Sequence, residues 1–322
     1  MAPPVAALPA TSRRTTLNPD MVFSGSISAP HSGIVNIDKP AGKTSREVVD
    51  VVKRLVRPAR TGHAGTLDPL ATGVLVVCVG AATRLIEYVQ RAPKRYRATF
   101  LLGRASPTED IEGEVTILPD PPRPERAEIV AAAARLTGAI MQRPPAFSAL
   151  RVGGRRSYDL ARAGRAVELA PRPITIHAIE VLEYEYPQLV LDIRCGSGTY
   201  IRSLGRDLAE SLGTAAVMAG LARTEIGPFH QNEAWRCEAL VSADCHAWLR
   251  PMRDAVRNLP AVTLTAEQID MIGHGRFLDL ADVSDARGSE LAALDAHGEL
   301  VAILRERAPG QYGPRLNLLP RA

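Results

Sequence analysis

One stretch concentrates the residues that could do chemistry: Gly62-His63-Ala64-Gly65-Thr66-Leu67-Asp68-Pro69-Leu70-Ala71-Thr72-Gly73. Glycines at 62 and 65 and a proline at 69 describe a rigid loop around one histidine and one carboxylate. A carboxylate held at such a loop can serve as a nucleophile or a general base. Loops carry a large share of functional residues. The same residues also suit an ordinary turn, since Asp-Pro starts turns and a glycine-flanked histidine can line one. On these residues alone both readings stand. A second candidate follows Gly196-Ser197-Gly198, where Tyr200 and Arg202 open a helix. This glycine turn completes neither GxxxxGK nor GxGxxG, so a nucleotide-binding loop is a weak reading.

The elements that must position these residues show in the periodicity. Residues 33–38 read as a strand, and Thr44-Ser45-Arg46-Glu47 forms a capping box before a helix in which Val48, Val49, Val51, Val52, Leu55 and Val56 follow with helical periodicity. The apolar run from 73 to 79 is a buried strand, followed by a short helix over 81–90 and a strand over 94–103. An Ala-rich helix covers 125–136 and Pro144-Pro145 breaks the chain. Strands follow at 173–183 and 188–195, with a helix over 200–212. Residues 233–258 read as helical and connective. A last unit starts near Leu259, with a helix capped at Thr265 and a hairpin turning at Ala296-His297-Gly298. Strands and helices mix without βαβ regularity or an internal repeat, which implies an α+β mixed sheet.

The chain has 322 residues, room for one large domain and a small appendage. No apolar run approaches the roughly 20 residues of a membrane helix. The net charge of +4 fits a polyanionic partner without requiring one. The charge is concentrated in 151–172, where Arg151, Arg155, Arg156, Arg162, Arg165 and Arg172 face only Asp159 and Glu168. Such a run suits phosphates, and equally a solvated loop. Cys78, Cys195, Cys237 and Cys245 lack CxxC spacing. Cys237 and Cys245 with His246 fit no standard zinc pattern, so no metal is expected, and a reduced cytoplasmic setting is. The first 32 residues, rich in Pro, Ala, Ser and Thr without a signal-peptide core, read as a disordered tail in which Met21 is an alternative start.

The stretch around Asp68 resembles the signature of the bacterial tRNA pseudouridine-55 synthases, the TruB family of pseudouridine synthases. Further segments match in the same order: Asp38-Lys39-Pro40 with Gly42-Lys43-Thr44-Ser45, Lys94-Arg95-Tyr96-Arg97, Ser148-Ala149-Leu150, Gly198-Thr199-Tyr200-Ile201-Arg202 and Leu221-Ala222-Arg223-Thr224. The resemblance covers residues 33 to 230. It implies a largely antiparallel central sheet, a catalytic domain over 33–235 with 151–172 as an RNA-clamping insertion, a connector over 236–258, and a small RNA-binding-like unit over 259–322.

The same resemblance implies that Asp68 acts on the sugar of a uridine in the T loop of tRNA, and that Arg202 pairs with it. A guanidinium there would favour the charged carboxylate. Tyr96 would stack on the flipped base, and its phenol could help move the C5 proton. Tyr200 and Leu221 would line the pocket. His63, Lys39, Lys94, Arg151, Arg155 and Arg156 would contact RNA. The chemistry needs no metal, nucleotide or redox cofactor. The partner would be the T arm, bound by a monomer without guide RNA.

One departure is Ser106-Pro107-Thr108, where the family reads Thr-Asp-Thr; Pro107 removes a backbone donor and a carboxylate, while Asp110 and Gly113 stay in register. The 259–322 unit resembles the family's appendage only faintly. Two alternatives remain: an RNA chaperone of the same fold that needs no chemistry, and a guide-dependent relative. Asp68 with Tyr96, Tyr200 and Arg202 argues against the first, and the basic insertion against the second. A metallohydrolase or nucleotide-binding enzyme has no motif here.

Overall fold

The computed structural model describes residues 32–148, 151–152, 155–156, 169–280 and 290–319. The expected N-terminal tail and most of the basic insertion lie outside them. Ten strands form the main sheet. Across it run Trp235–Arg236, Gly33–Lys39, Thr72–Val79, Ala216–Ile226, Lys94–Leu102, Gln188–Cys195, Arg172–Glu185 and Gly138–Gln142. Two short strands, Thr61–His63 and Phe229–His230, pair onto Thr72–Val79 and Ala216–Ile226. Two pairings are parallel, Gly33–Lys39 with Trp235–Arg236 and Ala216–Ile226 with Thr72–Val79; the rest are antiparallel. The expected mixed, largely antiparallel α+β sheet is therefore present.

Local chemistry explains the strands that matter for the site. Thr72–Val79 is buried along almost its whole length, so its β-branched run needs no alternation. Lys94–Leu102 does alternate: Lys94, Tyr96, Ala98, Phe100 and Leu102 are buried on one face. The helix Ile201–Glu210 packs on that face through Gly205, where an added Cβ would lie within 2.0 Å of the Phe100 ring. The capping box at Thr44 is present and starts the helix Ser45–Leu55. Residues 80–91 fold as a 3₁₀ turn, Gly80–Leu85, continued by the helix Ile86–Arg91.

The segment expected to be helical and connective differs. Its helices, Cys237–Ser242 and Cys245–Trp248, are short, and Trp235–Arg236 closes the edge of the main sheet beside Ile37 and Asp38. Arg250 exchanges backbone hydrogen bonds with Ile34. The segment is thus stitched to the first strand at both ends.

Beyond it a five-stranded sheet runs Ala261–Thr263, Glu290–Leu294, Leu300–Ala308, Gln311–Asn317, Leu278–Asp279. The helix Ala266–Gly273 is capped by Thr265 as expected. This sheet shares a core with the main one: Ala292, Leu300, Ile303 and Leu318 cluster with Ile34, Val74, Leu85 and Phe229. Tyr88 donates to Glu290 at 2.8 Å, and Arg315 pairs with both Glu290 and Glu87.

Candidate active site

The Asp68 loop is held by partners from four directions. Buried Ser45 accepts from the Leu67 N–H at 2.8 Å and donates to the Leu67 carbonyl at 3.1 Å. The Pro69 carbonyl accepts from the Gly42 N–H at 2.8 Å and from Lys39 Nζ at 3.1 Å. Arg223, 2% exposed, donates to the carbonyls of Val74 (2.8 Å), Gly65 (3.0 Å) and Thr66 (3.4 Å). Arg202 grips the carboxylate itself, with Nε 3.1 Å from Asp68 Oδ2 and Nη2 3.3 Å from Oδ1. The Asp68 side chain keeps 34% exposure while that of Arg202 keeps 8%, so the acid faces the cavity and the base lies behind it.

Arg202 is fixed in turn. Nη1 donates to the Thr108 carbonyl at 2.8 Å and Nη2 to the Phe147 carbonyl at 3.1 Å. Asp110 Oδ2 lies 3.5 Å from Nη1. The turn carrying Asp110 is built around Pro107: Ser106 and Thr108 hydroxyls meet at 3.0 Å, and Thr108 donates to Asp110 Oδ1 at 2.6 Å. Glu109, at φ 63, accepts from Ser203 at 2.8 Å and pairs with Arg206. Burial pushes the Glu109 carboxyl up, against the pull of Arg206.

A cavity of about 660 Å³ opens on this arrangement, lined by Asp68, Tyr96, Tyr200, Arg202, Leu221 and Lys94 among others. Every residue assigned to the chemistry by sequence, with Lys94 and Leu221, thus faces one space. Tyr96 is 8% exposed, and burial raises its phenol above the ordinary range while the neighbouring Arg223 pulls the other way. Tyr200 occupies the N-cap of the Ile201–Glu210 helix, where the fully buried Gln142 amide clamps its backbone: Nε2 to the Tyr200 carbonyl at 3.0 Å, Tyr200 N–H to Oε1 at 2.9 Å. The Arg172 guanidinium stacks over the Tyr200 ring at 4.8 Å.

The expected RNA contacts fall differently. Lys94 lines the cavity, donates to the Gln90 carbonyl, and is brought down to about 8 by burial and by Arg223. Lys39 is fully buried beneath the loop, its ammonium spent on the carbonyls of Pro40 and Pro69, and burial lowers it to about 8 against the pull of Asp68. It braces the loop in this conformation and offers nothing to solvent. His63 sits on the strand entering the loop, outside the cavity lining, and its Nδ1 faces the Gly65 N–H at 3.4 Å; burial lowers its imidazole, helped by Arg223 and Arg46. Arg151–Val152 and Arg155–Arg156 pair as an antiparallel ribbon; their side chains, like residues 157–168, lie outside the description. Asp244, Cys245 and His246 bring three ligand atoms within 4.8 Å of one another at the start of the Cys245–Trp248 helix, without Cys237 and away from the cavity lining.

Read alone, the sequence assigns no role to Arg223 or Gln142 and none beyond register to Asp110, and it counts Arg172 among the phosphate-gripping arginines of 151–172, whereas the structure stacks it on Tyr200. Arg223 stood inside a quoted motif, and that was its one signal.

Known proteins carry the same pattern. Residues 53–201 match the TruB family pseudouridylate synthase N-terminal domain. The chain is 40% identical over 281 residues to tRNA pseudouridine synthase B of Corynebacterium aurimucosum, covering 86% of this chain and 93% of that one. It is 41% identical over 260 residues to tRNA pseudouridine synthase B of Gluconacetobacter diazotrophicus, covering 79% and 85%. Among solved structures it resembles a Cbf5-Nop10-Gar1 complex, with TM-score 0.70, 28% identity, and 90% of this chain and 85% of that chain covered. An H/ACA RNP bound to a substrate RNA containing 2'-deoxyuridine gives TM-score 0.67, 26% identity, and 90% and 86% coverage. With this identity running across most of its length, the chain belongs to the TruB family of pseudouridylate synthases.

Proposed function

We propose that this enzyme isomerises uridine 55 in the T loop of tRNA to pseudouridine, with Asp68 acting at the ribose. The observation that carries the reading is a cavity-facing carboxylate held side-on by a buried arginine, with an aromatic platform beside it. The target base must leave its stack to reach that carboxylate, and unstacking costs a few kcal/mol that pocket contacts offset. Tyr96, Leu221 and Tyr200 supply the apolar walls. Asp68 then attacks C1′, or takes a proton from C2′ to give a glycal; either way the N1–C1′ bond breaks, the uracil turns, and C5 rejoins the sugar. Arg202, bonded to both carboxylate oxygens, holds the acid aimed at the sugar.

The basic segment 151–172 grips T-arm phosphates from outside the cavity, and His63 meets RNA at its rim. The enzyme works as a monomer in the cytoplasm without a guide RNA. The relatives near 40% identity are tRNA pseudouridine synthases, whereas the H/ACA RNP bound to a substrate RNA stands at 26%. Grip on the T arm also favours a tRNA chaperone role alongside the chemistry.

The test is pseudouridine formation in an unmodified T-arm stem-loop. Wild type should give product, undiminished by EDTA, and Asp68→Asn none. A wild type that binds this RNA without converting it would sink the stand-alone reading.

A further inference from the structure

Arg223 has a chemical peculiarity that the rest of the site lacks. Arg202, the other fully enclosed arginine of the cavity, is neutralised by Asp68 and Asp110. Arg223 is as deeply buried, yet among the described residues no carboxylate pairs with it; its partners are the carbonyls of Gly65, Thr66 and Val74 and the Tyr96 phenol. A buried guanidinium without an anion is costly, and carbonyl dipoles offset only part of that. Its place is equally specific. Arg223 is the direct cross-strand partner of Tyr96, and Leu221 lies two residues before it on the same strand. Side chains two apart on a strand share a face. All three line the cavity. Lys94 lines the same cavity and feels Arg223 as a like charge, so two cations stand on the wall beneath the base.

The reaction generates the anion that this wall lacks. When the N1–C1′ bond breaks, both electrons stay with N1 and spread over the two uracil carbonyl oxygens. C1′ takes its new electron pair from the Asp68 carboxylate, or C2′ gives up a proton to it. When C5 rejoins the sugar, the C5 proton is lost and N1 gains one, so the isomerisation balances without a co-reactant. In both routes a detached uracil anion lies against the Tyr96 wall.

We infer that Arg223 provides the positive charge that stabilises the departing uracil anion, while its three carbonyl contacts hold the Asp68 loop at a set distance from that charge. A charge fixed in a water-poor site before the reaction needs no reorganisation during it. Its value appears only as the bond breaks, so it raises the cleavage rate rather than ground-state affinity.

The inference rests on the synthase reading, and the experiment separates the two. Single-turnover glycosidic cleavage is followed on T-arm RNA carrying uridine or 5-fluorouridine at the target, whose fluorine itself stabilises the anion. Wild type, Arg223→Met and Arg223→Lys are compared, with RNA affinity and thermal melting measured on each. Arg223→Met should slow cleavage of uridine RNA by about 10²–10³-fold, the usual loss for one preorganised donor. It should lose at least tenfold less on 5-fluorouridine RNA, at near-wild-type affinity, with Arg223→Lys intermediate. If Arg223→Met does not fold, the smaller loss of Arg223→Lys on the fluorinated RNA carries the test. Equal losses on both RNAs would overturn the electrostatic role and leave Arg223 as a brace. Absence of product from wild type would instead overturn the synthase reading.

Discussion

Arg202 joins the Asp68 carboxylate to the buried carboxylate of Asp110 and to two backbone carbonyls, so its removal is felt at four points. Arg202→Met should cost about 3–5 kcal/mol, because Asp110 is left buried without its cation. It should also lower single-turnover cleavage by two orders of magnitude or more, since the acid loses its aim. Urea denaturation and rapid-quench kinetics on the same preparation check both. Lys94 gives a pH signature. Burial and Arg223 bring its ammonium down to about 8 from an ordinary 10.5. Between those values the unfolded chain binds the proton and the folded one does not, so this group's contribution to stability rises with pH across that window. The charge offered to RNA falls over the same range. Affinity for T-arm RNA should therefore drop as pH passes about 8, and Lys94→Met should flatten that limb in an anisotropy titration.

At the scale of elements, the loop and the Ile201–Glu210 helix must keep register with the sheet. Ser45→Ala removes both bonds that hold Leu67 and leaves a buried N–H, at about 1–3 kcal/mol. Turnover should fall more than RNA affinity, because the loop that carries Asp68 loosens while the clamp is untouched; comparing kcat with Kd tests this. Gly205→Ala drives a methyl into the Phe100 ring and lifts the helix bearing Tyr200 and Arg202. Overpacking of this kind costs about 1–3 kcal/mol, and melting with and without RNA measures it. Much of this layer was legible in the sequence. The capping box at Thr44 and the alternation over Lys94–Leu102 are local patterns with one physical meaning. The Trp235–Arg236 strand was not legible, because two residues carry no period. Nor were the roles of Gln142, Asp110 and Arg223: their contacts cross roughly 60 to 160 residues of chain, and no local pattern records a contact made at that distance.

For the whole molecule, the substrate is a polyanion and the arginines are clustered, so binding of T-arm RNA should weaken steeply with salt. A log–log slope near zero would remove the basic segment 151–172 from the interface. The chemical step, measured once RNA is bound, should depend far less on salt, because Asp68 and Arg202 sit where screening ions do not reach.

The core shared between the two sheets has a further consequence for how such a protein can be taken apart and recombined. Ala292, Leu300, Ile303 and Leu318 fill the same apolar space as Ile34, Val74, Leu85 and Phe229, and Arg315 reaches Glu87 on a helix that walls the cavity. The C-terminal unit is thus no detachable cassette. Cutting the chain at 258 should yield an aggregating remnant rather than a trimmed enzyme, and heating the whole chain should give one calorimetric transition rather than two. Transplanting this unit from a distant relative would succeed only with its buried seam carried along.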